Sequence, residues 1–253
     1  MKLLLGTTMI AGLMIAGAAQ AADMPLKAPP RAYPAPEVSD WTGFYLGIHG
    51  GYGWGKGTPD DFDIADLTDA PFHNPKPKGG VFGGHAGYNW QTGRFVGGLE
   101  VDYSFARLKE TQSFSETFNS CPDDEESFCP DTFSRTLRTK VDALASARAR
   151  AGFLIADNIL AYGTAGIGWA RSQATATFSD CFECGTASFT AKSNNFGWVA
   201  GGGLEYKLTH NLLLRGEYLH YDFGSVGYAF EPFGTVNAKL TVDVARGGLS
   251  FKF

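Results

Sequence analysis

Long apolar runs are missing from most of this sequence. Beyond the N-terminus no stretch of about 18 apolar residues occurs, which excludes a membrane protein built from several transmembrane helices. Charged residues are also few, at 19% of the chain. Aromatic and aliphatic residues nevertheless recur throughout, and this excludes a disordered chain. Because the net charge is -5, we predict that nucleic acid is not a partner.

Glycine is the residue in surplus. The chain contains 33 glycines among 253 residues, whereas the usual share is about 7%. They do not recur at every third position, so a collagen triple helix is excluded. Strands that curve or approach one another closely use glycine in this way. We therefore expect a protein rich in curved β-strands.

The N-terminus has the three parts of a secretory signal peptide. Lys2 supplies a positive charge, and an apolar stretch follows from Leu3 to Ala18. Ala19-Gln20-Ala21 then gives the small-x-small pattern of a cleavage site. We predict that residues 1–21 are a signal peptide and that the protein is exported. An uncleaved helical anchor is the alternative, for which the apolar stretch is short.

A proline-rich segment follows the predicted cleavage site. Residues 22–40 show neither a helical nor an alternating pattern. They carry five prolines, namely Pro25, Pro29, Pro30, Pro34 and Pro36. This composition is typical of an extended spacer with polyproline character. We interpret residues 22–40 as a periplasmic linker and residues 41–253 as a single domain.

Apolar and polar residues alternate with a period of two in eight stretches. Between Phe95 and Phe105, for example, Leu99 and Val101 share one face while Glu100 and Asp102 share the other. This pattern is typical of a β-strand with two different faces. The eight predicted strands are Thr42–Gly55, Gly80–Gln91, Phe95–Phe105, Arg138–Leu154, Ile159–Thr175, Phe196–Leu208, Leu212–Val226 and Leu240–Phe253.

The connections between these stretches alternate between short and long. Short turns lie at 92–93, 156–158 and 209–211; long polar segments lie at 56–78, 109–137, 178–195 and 227–239. The alternation predicts an up-and-down meander. A soluble lipocalin-like barrel would carry its apolar residues inside. Here the charged residues share the narrower, glycine-rich face, so we predict an all-β fold, an eight-stranded antiparallel up-and-down transmembrane β-barrel.

Aromatic residues cluster near the ends of the predicted strands, as in the interfacial girdles of membrane barrels. They are Trp41, Phe44, Trp54, Tyr88, Trp90, Trp169 and Trp198. The chain ends in Ser250-Phe251-Lys252-Phe253. A terminal aromatic after an alternating strand resembles the signal by which bacterial barrels are recognised for assembly. We therefore expect the barrel assembly machinery to bind Phe253.

Several short motifs resemble a known family. They are Trp41-Thr42-Gly43-Phe44-Tyr45-Leu46-Gly47, Gly87-Tyr88-Asn89-Trp90-Gln91, Arg148-Ala149-Arg150-Ala151-Gly152, Tyr162-Gly163-Thr164-Ala165-Gly166, Gly216-Glu217-Tyr218 and Lys252-Phe253. In this order and spacing they resemble the porin-like outer-membrane immunogenic proteins of alphaproteobacteria. The resemblance covers nearly the whole chain from Trp41 onward, except the long loops.

The resemblance implies an eight-stranded OmpA-like barrel in the outer membrane of a Gram-negative cell. Outer-membrane lipids and lipopolysaccharide would surround it, and its loops would be exposed as a surface antigen. Some family members are described as hemin-binding or as porins. We therefore expect a structural, surface-exposed protein, with a small-solute porin or a receptor for hemin or host surface ligands as alternatives.

The polar faces of the predicted strands place charged residues of both signs in the lumen. The expected network comprises Glu100, Asp102, Asp142, Arg148, Arg150, Glu205, Arg215, Glu217 and Arg246. An eight-stranded barrel has just enough interior for its own side chains, and unpaired ions away from water are costly. We therefore predict a lumen closed by ion pairs. The alternative is a narrow water-filled pore whose charges select solutes.

Four cysteines lie in two of the long segments. An even number in an exported chain indicates disulfides, and the local pairs Cys121 with Cys129 and Cys181 with Cys184 are our first choice among three connectivities. One zinc ion bound by all four thiolates is the alternative. The acidic run from Asp123 to Glu126 lacks the ligand spacing of a calcium loop, so we interpret it as solvated.

Catalytic and cofactor signatures are absent from the sequence. The nearest candidate for a nucleophilic set is His220 with Asp222 and Ser225, but no glycine-flanked nucleophile accompanies it. The histidines that could bind hemin have no signature spacing; they are His49, His73, His85 and His220. We therefore predict a protein that is not an enzyme and has no cofactor.

Overall fold

The computed structural model describes residues 40–59, 74–119, 130–180, 185–230 and 234–253. These residues form eight strands: β1 (Gly43–Pro59), β2 (Lys78–Thr92), β3 (Phe95–Asn119), β4 (Pro130–Ala156), β5 (Ile159–Asp180), β6 (Gly185–Lys207), β7 (Leu212–Phe230) and β8 (Gly234–Lys252). The predicted signal peptide, most of the predicted linker and all four cysteines lie outside the described residues. Their predicted roles therefore stay predictions.

The eight strands close into one ring. Each strand pairs with the next in antiparallel register, and β1 also pairs with β8, from Tyr45 opposite Lys252 to Pro59 opposite Ala238. Closure leaves no edge strand, so the ladder can satisfy its backbone groups without water. The predicted fold is confirmed.

Short turns join the strands at one end of the barrel. Gly93, in the turn between β2 and β3, has a φ of 61°, a left-handed conformation that favours glycine. At the other end the described strands lead into the longer connections. In the part of the chain that the structure describes, no helix is both long and apolar enough to cross a membrane.

The strands are longer than the sequence pattern predicted. They contain 15 to 27 residues, whereas about 9–11 residues suffice to cross a bilayer. Much of the predicted long loop at 109–137 is strand, since β3 continues to Asn119 and β4 begins at Pro130. Pro130 and Pro59 are terminal residues of their strands, where a missing N–H is tolerated.

The two faces of the strands exchange character partway along the barrel. In the lower part of β3, Val101 faces outward and Asp102 is buried inside. Farther along the same strand, Leu108 is buried inside while the flanking Lys109 is exposed. An apolar exterior suits lipid and a polar exterior suits water, so the exchange marks where the barrel leaves the membrane.

A belt of exposed apolar side chains surrounds the lower part of the barrel. On β3 it extends from Phe95 to Phe105, and on β6 from Phe196 to Tyr206. Aromatic residues lie at both rims, including Trp90 near the short turns and Trp54 near the long connections. The height of this belt matches the hydrocarbon thickness that strands of about 9–11 residues span.

Because the outer face of β3 changes from apolar to polar along the strand, the cost of introducing a charged side chain there should depend on its position. Val101→Arg, within the belt, should lower the free energy of unfolding in lipid by about 2–4 kcal/mol, because arginine would enter hydrocarbon. Ser115→Arg, on the same outer face but beyond the belt, should change it by about 0–1 kcal/mol. Urea titration of both variants in liposomes measures the difference, and equal costs would contradict the assigned boundary.

Candidate functional site

The lumen brings together eight of the nine residues predicted for the charge network. Each of these residues is at most 6% exposed. They are Glu100 and Asp102 on β3, Arg148 and Arg150 on β4, Glu205 on β6, Arg215 and Glu217 on β7, and Arg246 on β8. Four guanidinium groups thus face four carboxylates across the barrel, and their formal charges cancel.

The prediction for Asp142 is wrong, because its side chain is exposed on the outer surface. Counting by twos from Arg148 places Asp142 in the lumen. The pairing of β4 with β5 shifts by one residue between Val141 and Ala143. This bulge adds a residue to β4 and reverses the phase of the alternation beyond it.

Glu217 is one centre of the network. Its Oε1 accepts a hydrogen bond from Arg148 Nη1 at 2.9 Å, and its Oε2 lies 2.7 Å from Arg246 Nη2. The hydroxyl of Tyr162 also donates to Oε1, at 3.1 Å. One carboxylate therefore connects side chains from β4, β5 and β8 to β7.

Glu100 forms a second centre on the opposite wall. Its Oε1 accepts from Arg148 Nη2 at 2.5 Å, and its Oε2 accepts from Arg215 Nη2 at 2.8 Å. The hydroxyl of Tyr45 donates to the same Oε2 at 2.7 Å. Arg150 Nη1 lies 3.5 Å from that oxygen and donates to Tyr45 at 3.0 Å. Charge-assisted bonds of this kind are stronger than neutral ones.

The two remaining carboxylates differ in how they are held. Asp102 accepts hydrogen bonds from Arg148 at 3.0 Å, Arg246 at 3.1 Å and Ser146 at 2.5 Å. Glu205 lies 3.0 Å from Arg150 Nη2 and 3.2 Å from Arg215 Nη2. Among the described residues neither Glu205 oxygen has an aligned hydrogen-bond donor, so charge attraction alone holds this carboxylate.

Beside the network two histidines form a chain of hydrogen bonds. His49 and His85 face each other through their Nδ1 atoms at 3.2 Å, so one of these atoms must donate and the other accept. Arg246 Nη1, which can only donate, lies 3.2 Å from His49 Nε2. His49 therefore carries its proton on Nδ1 and donates to His85, whose proton on Nε2 is donated to Ser250 at 2.7 Å. The hydroxyl of Ser104 donates to His49 Nε2 at 2.7 Å.

This histidine pair needs a glycine beside it. A Cβ at Gly47 would collide with the imidazole of His85. The lumen-facing glycine thus provides the space that the ring occupies, which locates part of the glycine surplus. The contact between His49 and His85 depends on the strand register, which pairs Gly47 with His85 and His49 with Gly83.

An apolar cluster fills the lumen at the short-turn end. It consists of Trp41, Val96, Leu154, Leu160, Tyr162 and Leu213. Trp41 was predicted to lie in the outer aromatic girdle, and that prediction is wrong, because the indole is 0% exposed. Its backbone N–H donates to Gln91 Oε1 at 2.7 Å, and its Nε1 donates to the carbonyl of Asp157 at 3.4 Å. Trp41 thus packs inside the barrel at the short-turn end.

Two lysines hold the chain that enters the barrel next to Trp41. The Nζ atoms of Lys207 and Lys252 donate to the carbonyl of Asp40 at 2.7 Å and 2.9 Å, and Lys252 also donates to the carbonyl of Thr42 at 2.7 Å. The N–H of Thr42 donates to the carboxylate of Asp40 at 2.8 Å. That hydrogen bond lowers the pKa of Asp40.

A larger apolar cluster fills the lumen above the charge network. Its members come from β2 to β8 and include Leu108, Leu144, Leu219, Tyr221 and Val242. The alternation pattern does not predict this layer, because it places the polar face of each strand in the lumen over the full length of the strand. Above it lies a cavity of about 60 Å³ between Leu137, Tyr228 and Leu240.

The described residues contain no cluster of three or more potential metal ligands. His220 does not join Asp222 and Ser225 in a nucleophilic set. Its Nδ1 lies 2.7 Å from Asp243 on β8, and Tyr218 donates to the same carboxylate oxygen at 2.6 Å. These side chains lie on the outer surface at the upper rim of the apolar belt.

Removing one carboxylate from the network should be strongly destabilising. Glu217→Ala removes one of the two carboxylates that Arg148 and Arg246 share, the other being Asp102. The buried network is then left with one uncompensated positive charge, and we expect a loss of about 3–5 kcal/mol in the free energy of unfolding. Glu116→Ala, at an exposed position on β3, should change it by about 0.5 kcal/mol or less. Equilibrium urea unfolding in lipid compares the two. A similar small change for both would contradict the structural role of the network.

The hydrogen-bond chain also predicts the tautomers of the two histidines. At neutral pH, His49 should be protonated on Nδ1 and His85 on Nε2. Nitrogen-15 solid-state NMR of the barrel in bilayers distinguishes these forms, and the single variants His49→Asn and His85→Gln assign the resonances. The same tautomer at both positions, or a doubly protonated ring at either, would refute the assigned donor order.

The sequence is similar to curated outer-membrane proteins along almost its whole length. It is 29% identical over 245 residues to the 31 kDa outer-membrane immunogenic protein of Brucella melitensis, with 95% of each chain covered. It is 28% identical to the 22 kDa outer membrane protein of Rhizobium leguminosarum, over 87% of this chain and 82% of that protein.

Among solved structures, the chain is similar to Ail of Yersinia pestis, with 15% identity, a TM-score of 0.37, and coverage of 84% of this chain and 99% of Ail. Neisserial surface protein A gives 16% identity and a TM-score of 0.39, with 84% and 98% covered. The family model for the outer membrane protein beta-barrel domain matches residues 9–253. The chain is therefore a member of the outer-membrane β-barrel domain family and resides in the outer membrane of a Gram-negative cell.

Proposed function

We propose that the protein is a structural barrel whose lumen is closed to solutes and whose long connections are exposed on the cell surface. The observation that carries this proposal is the stacking of three filled layers in the lumen. The Trp41 cluster lies below, the charge network lies in the middle, and the apolar cluster around Leu144 lies above. A solute would have to displace all three layers.

The composition of the middle layer supports closure over selective conduction. Its four positive and four negative groups cancel, whereas a solute-selective pore benefits from an excess of one sign along its path. The side chains of Arg148 and Glu217 are each 0% exposed, so neither lines an open space. A small-solute porin is the alternative, and measured conductance separates the two functions.

Surface exposure supports a role in envelope structure and as an antigen. The described strands extend beyond the apolar belt, so they would carry the long connections away from the membrane surface. Curated relatives from Brucella are named outer-membrane immunogenic proteins. We propose the same exposure for this chain, with no enzymatic activity.

Hemin binding receives no support from the described histidines. His49 and His85 are 5% and 2% exposed and are bonded to each other. His220 is paired with Asp243, and His73 lies outside the described residues. A hemin site would therefore require residues other than this buried pair.

The C-terminus fits recognition by the barrel assembly machinery. Phe251 and Phe253 are 50% and 73% exposed on the lipid-facing side, and the N–H of Phe253 donates to the carbonyl of Phe44 at 2.9 Å. Before β1 and β8 pair, these aromatic residues would belong to an unpaired strand. We propose that the machinery binds this strand before the barrel closes.

The closed lumen predicts an absence of channel activity. Refolded protein that has been shown to insert into liposomes by co-flotation should give no reproducible conductance steps in a planar bilayer. A large porin in the same bilayer serves as the positive control. Steps that scale with salt concentration, and that change when Arg148 is replaced by alanine, would overturn the closed-lumen proposal in favour of the porin.

A further inference from the structure

The outer surface just above the apolar belt is unevenly charged. On β2 to β6 it carries a set of outward-facing basic side chains, which we call the basic arc. Its members are Lys78, Arg107, Lys109, Lys140, Arg171 and Lys192. Asp142, displaced outward by the bulge in β4, is the one acidic side chain among them in the described part of these strands.

Three lysines of the arc lie directly opposite one another in the sheet. Lys109 pairs in register with Lys78 on one side and with Lys140 on the other. The row continues through Gln173, which pairs with Lys140 and with Lys192. Because adjacent strands are about 4.8 Å apart, like charges in such a row repel and destabilise the sheet unless an anion lies between them.

The described chain supplies no carboxylate partner for the arc. Among the described residues, none of the six basic side chains forms an ion pair. The same level on β7 and β8 differs, since Lys239 lies 3.7 Å from Asp222 and His220 lies 2.7 Å from Asp243. On β7 and β8 the described side chains therefore neutralise one another, whereas the basic side chains on β2 to β6 are available to an external anion.

The position of the basic arc relative to the apolar belt indicates where an external anion would lie. Arg107 and Arg171 are two residues beyond the last outward aromatic residues of their strands, Phe105 and Trp169. Lys109 lies two residues farther along β3. At about 3.3 Å per residue, these side chains emerge at the level of lipid headgroups, on the side of the long connections, which face the cell exterior.

We propose that the basic arc binds the phosphate groups of lipopolysaccharide in the outer leaflet. Lipopolysaccharide is the anionic lipid of that leaflet, and its headgroup presents several phosphates on a surface that the row of lysines can contact together. The proposal rests on the outer-membrane location and is independent of the closed lumen. It places bound lipopolysaccharide against the β2–β6 side of the barrel.

Paired variants with equal changes in charge test the proposal. In the first, Lys109→Ser and Lys140→Ser remove the centre of the arc. In the control, Lys56→Ser and Lys239→Ser remove two outward lysines at the same end of β1 and β8. Each protein is refolded in zwitterionic detergent, its folding is checked by circular dichroism and heat-dependent gel mobility, and it is titrated with fluorescent lipopolysaccharide.

The wild type and the control should bind lipopolysaccharide with affinities within about twofold of each other. The arc variant should bind at least roughly tenfold more weakly, because each basic side chain at an anionic surface contributes about fivefold. Enzymatically dephosphorylated lipopolysaccharide should bind the wild type as weakly as intact lipopolysaccharide binds the arc variant.

Three results would overturn the proposal: equal loss in both double variants, unchanged binding of the dephosphorylated lipid, or displacement of the lipid by soluble heparin at low concentration. The last would identify a soluble polyanion as the partner instead. All these variants retain the lumen residues, so their conductance tests the closed lumen separately.

Discussion

The closed backbone ladder is the constraint on which the rest of this structure depends. In hydrocarbon no water is present to satisfy a free N–H or C=O group, so a sheet can cross a membrane only as a ring. A ring of eight strands is narrow, and its interior is filled by its own side chains. The charged side chains therefore have to satisfy one another. The neutral set around Glu100 and Glu217 is the result.

The exchange of faces along the strands follows from the same constraint combined with strand length. Strands of up to 27 residues extend well beyond the bilayer, and there the solvent outside changes from lipid to water. The apolar side chains then belong inside, as Leu108 and Val242 show. A single strand is thus apolar outside in its lower part and apolar inside in its upper part. The height at which the two parts meet sets the position of both the lumen layers and the basic arc.

Most of the fold could be predicted from the sequence, because period-two alternation and turn spacing report directly on strands and their order. The predicted lumen positions also lie together wherever the strand is regular, as at Glu100 and Arg148. Asp142 could not be placed, since a bulge changes parity without a clear sequence signal. Trp41 was misplaced because its burial depends on contacts with Gln91 and Asp157, which are distant in sequence. The hydrogen bonds of Tyr45 to Glu100 and of His85 to Ser250 could not be predicted either, because they depend on the register between strands.

The two lysines that hold the carbonyl of Asp40 have a consequence for the order of folding. Lys252 is the penultimate residue, and it contacts a carbonyl 212 positions earlier in the chain. Closing so long a loop has a large entropic cost that few early contacts can offset. The hydrogen bonds from Lys252 can form only after β1 and β8 have paired. They then stabilise the β1–β8 pair at the end of the barrel where Trp41 lies. The contacts between Lys252 and the backbone of Asp40 and Thr42 thus join the two ends of the described barrel, which makes the final step of closure harder to reverse.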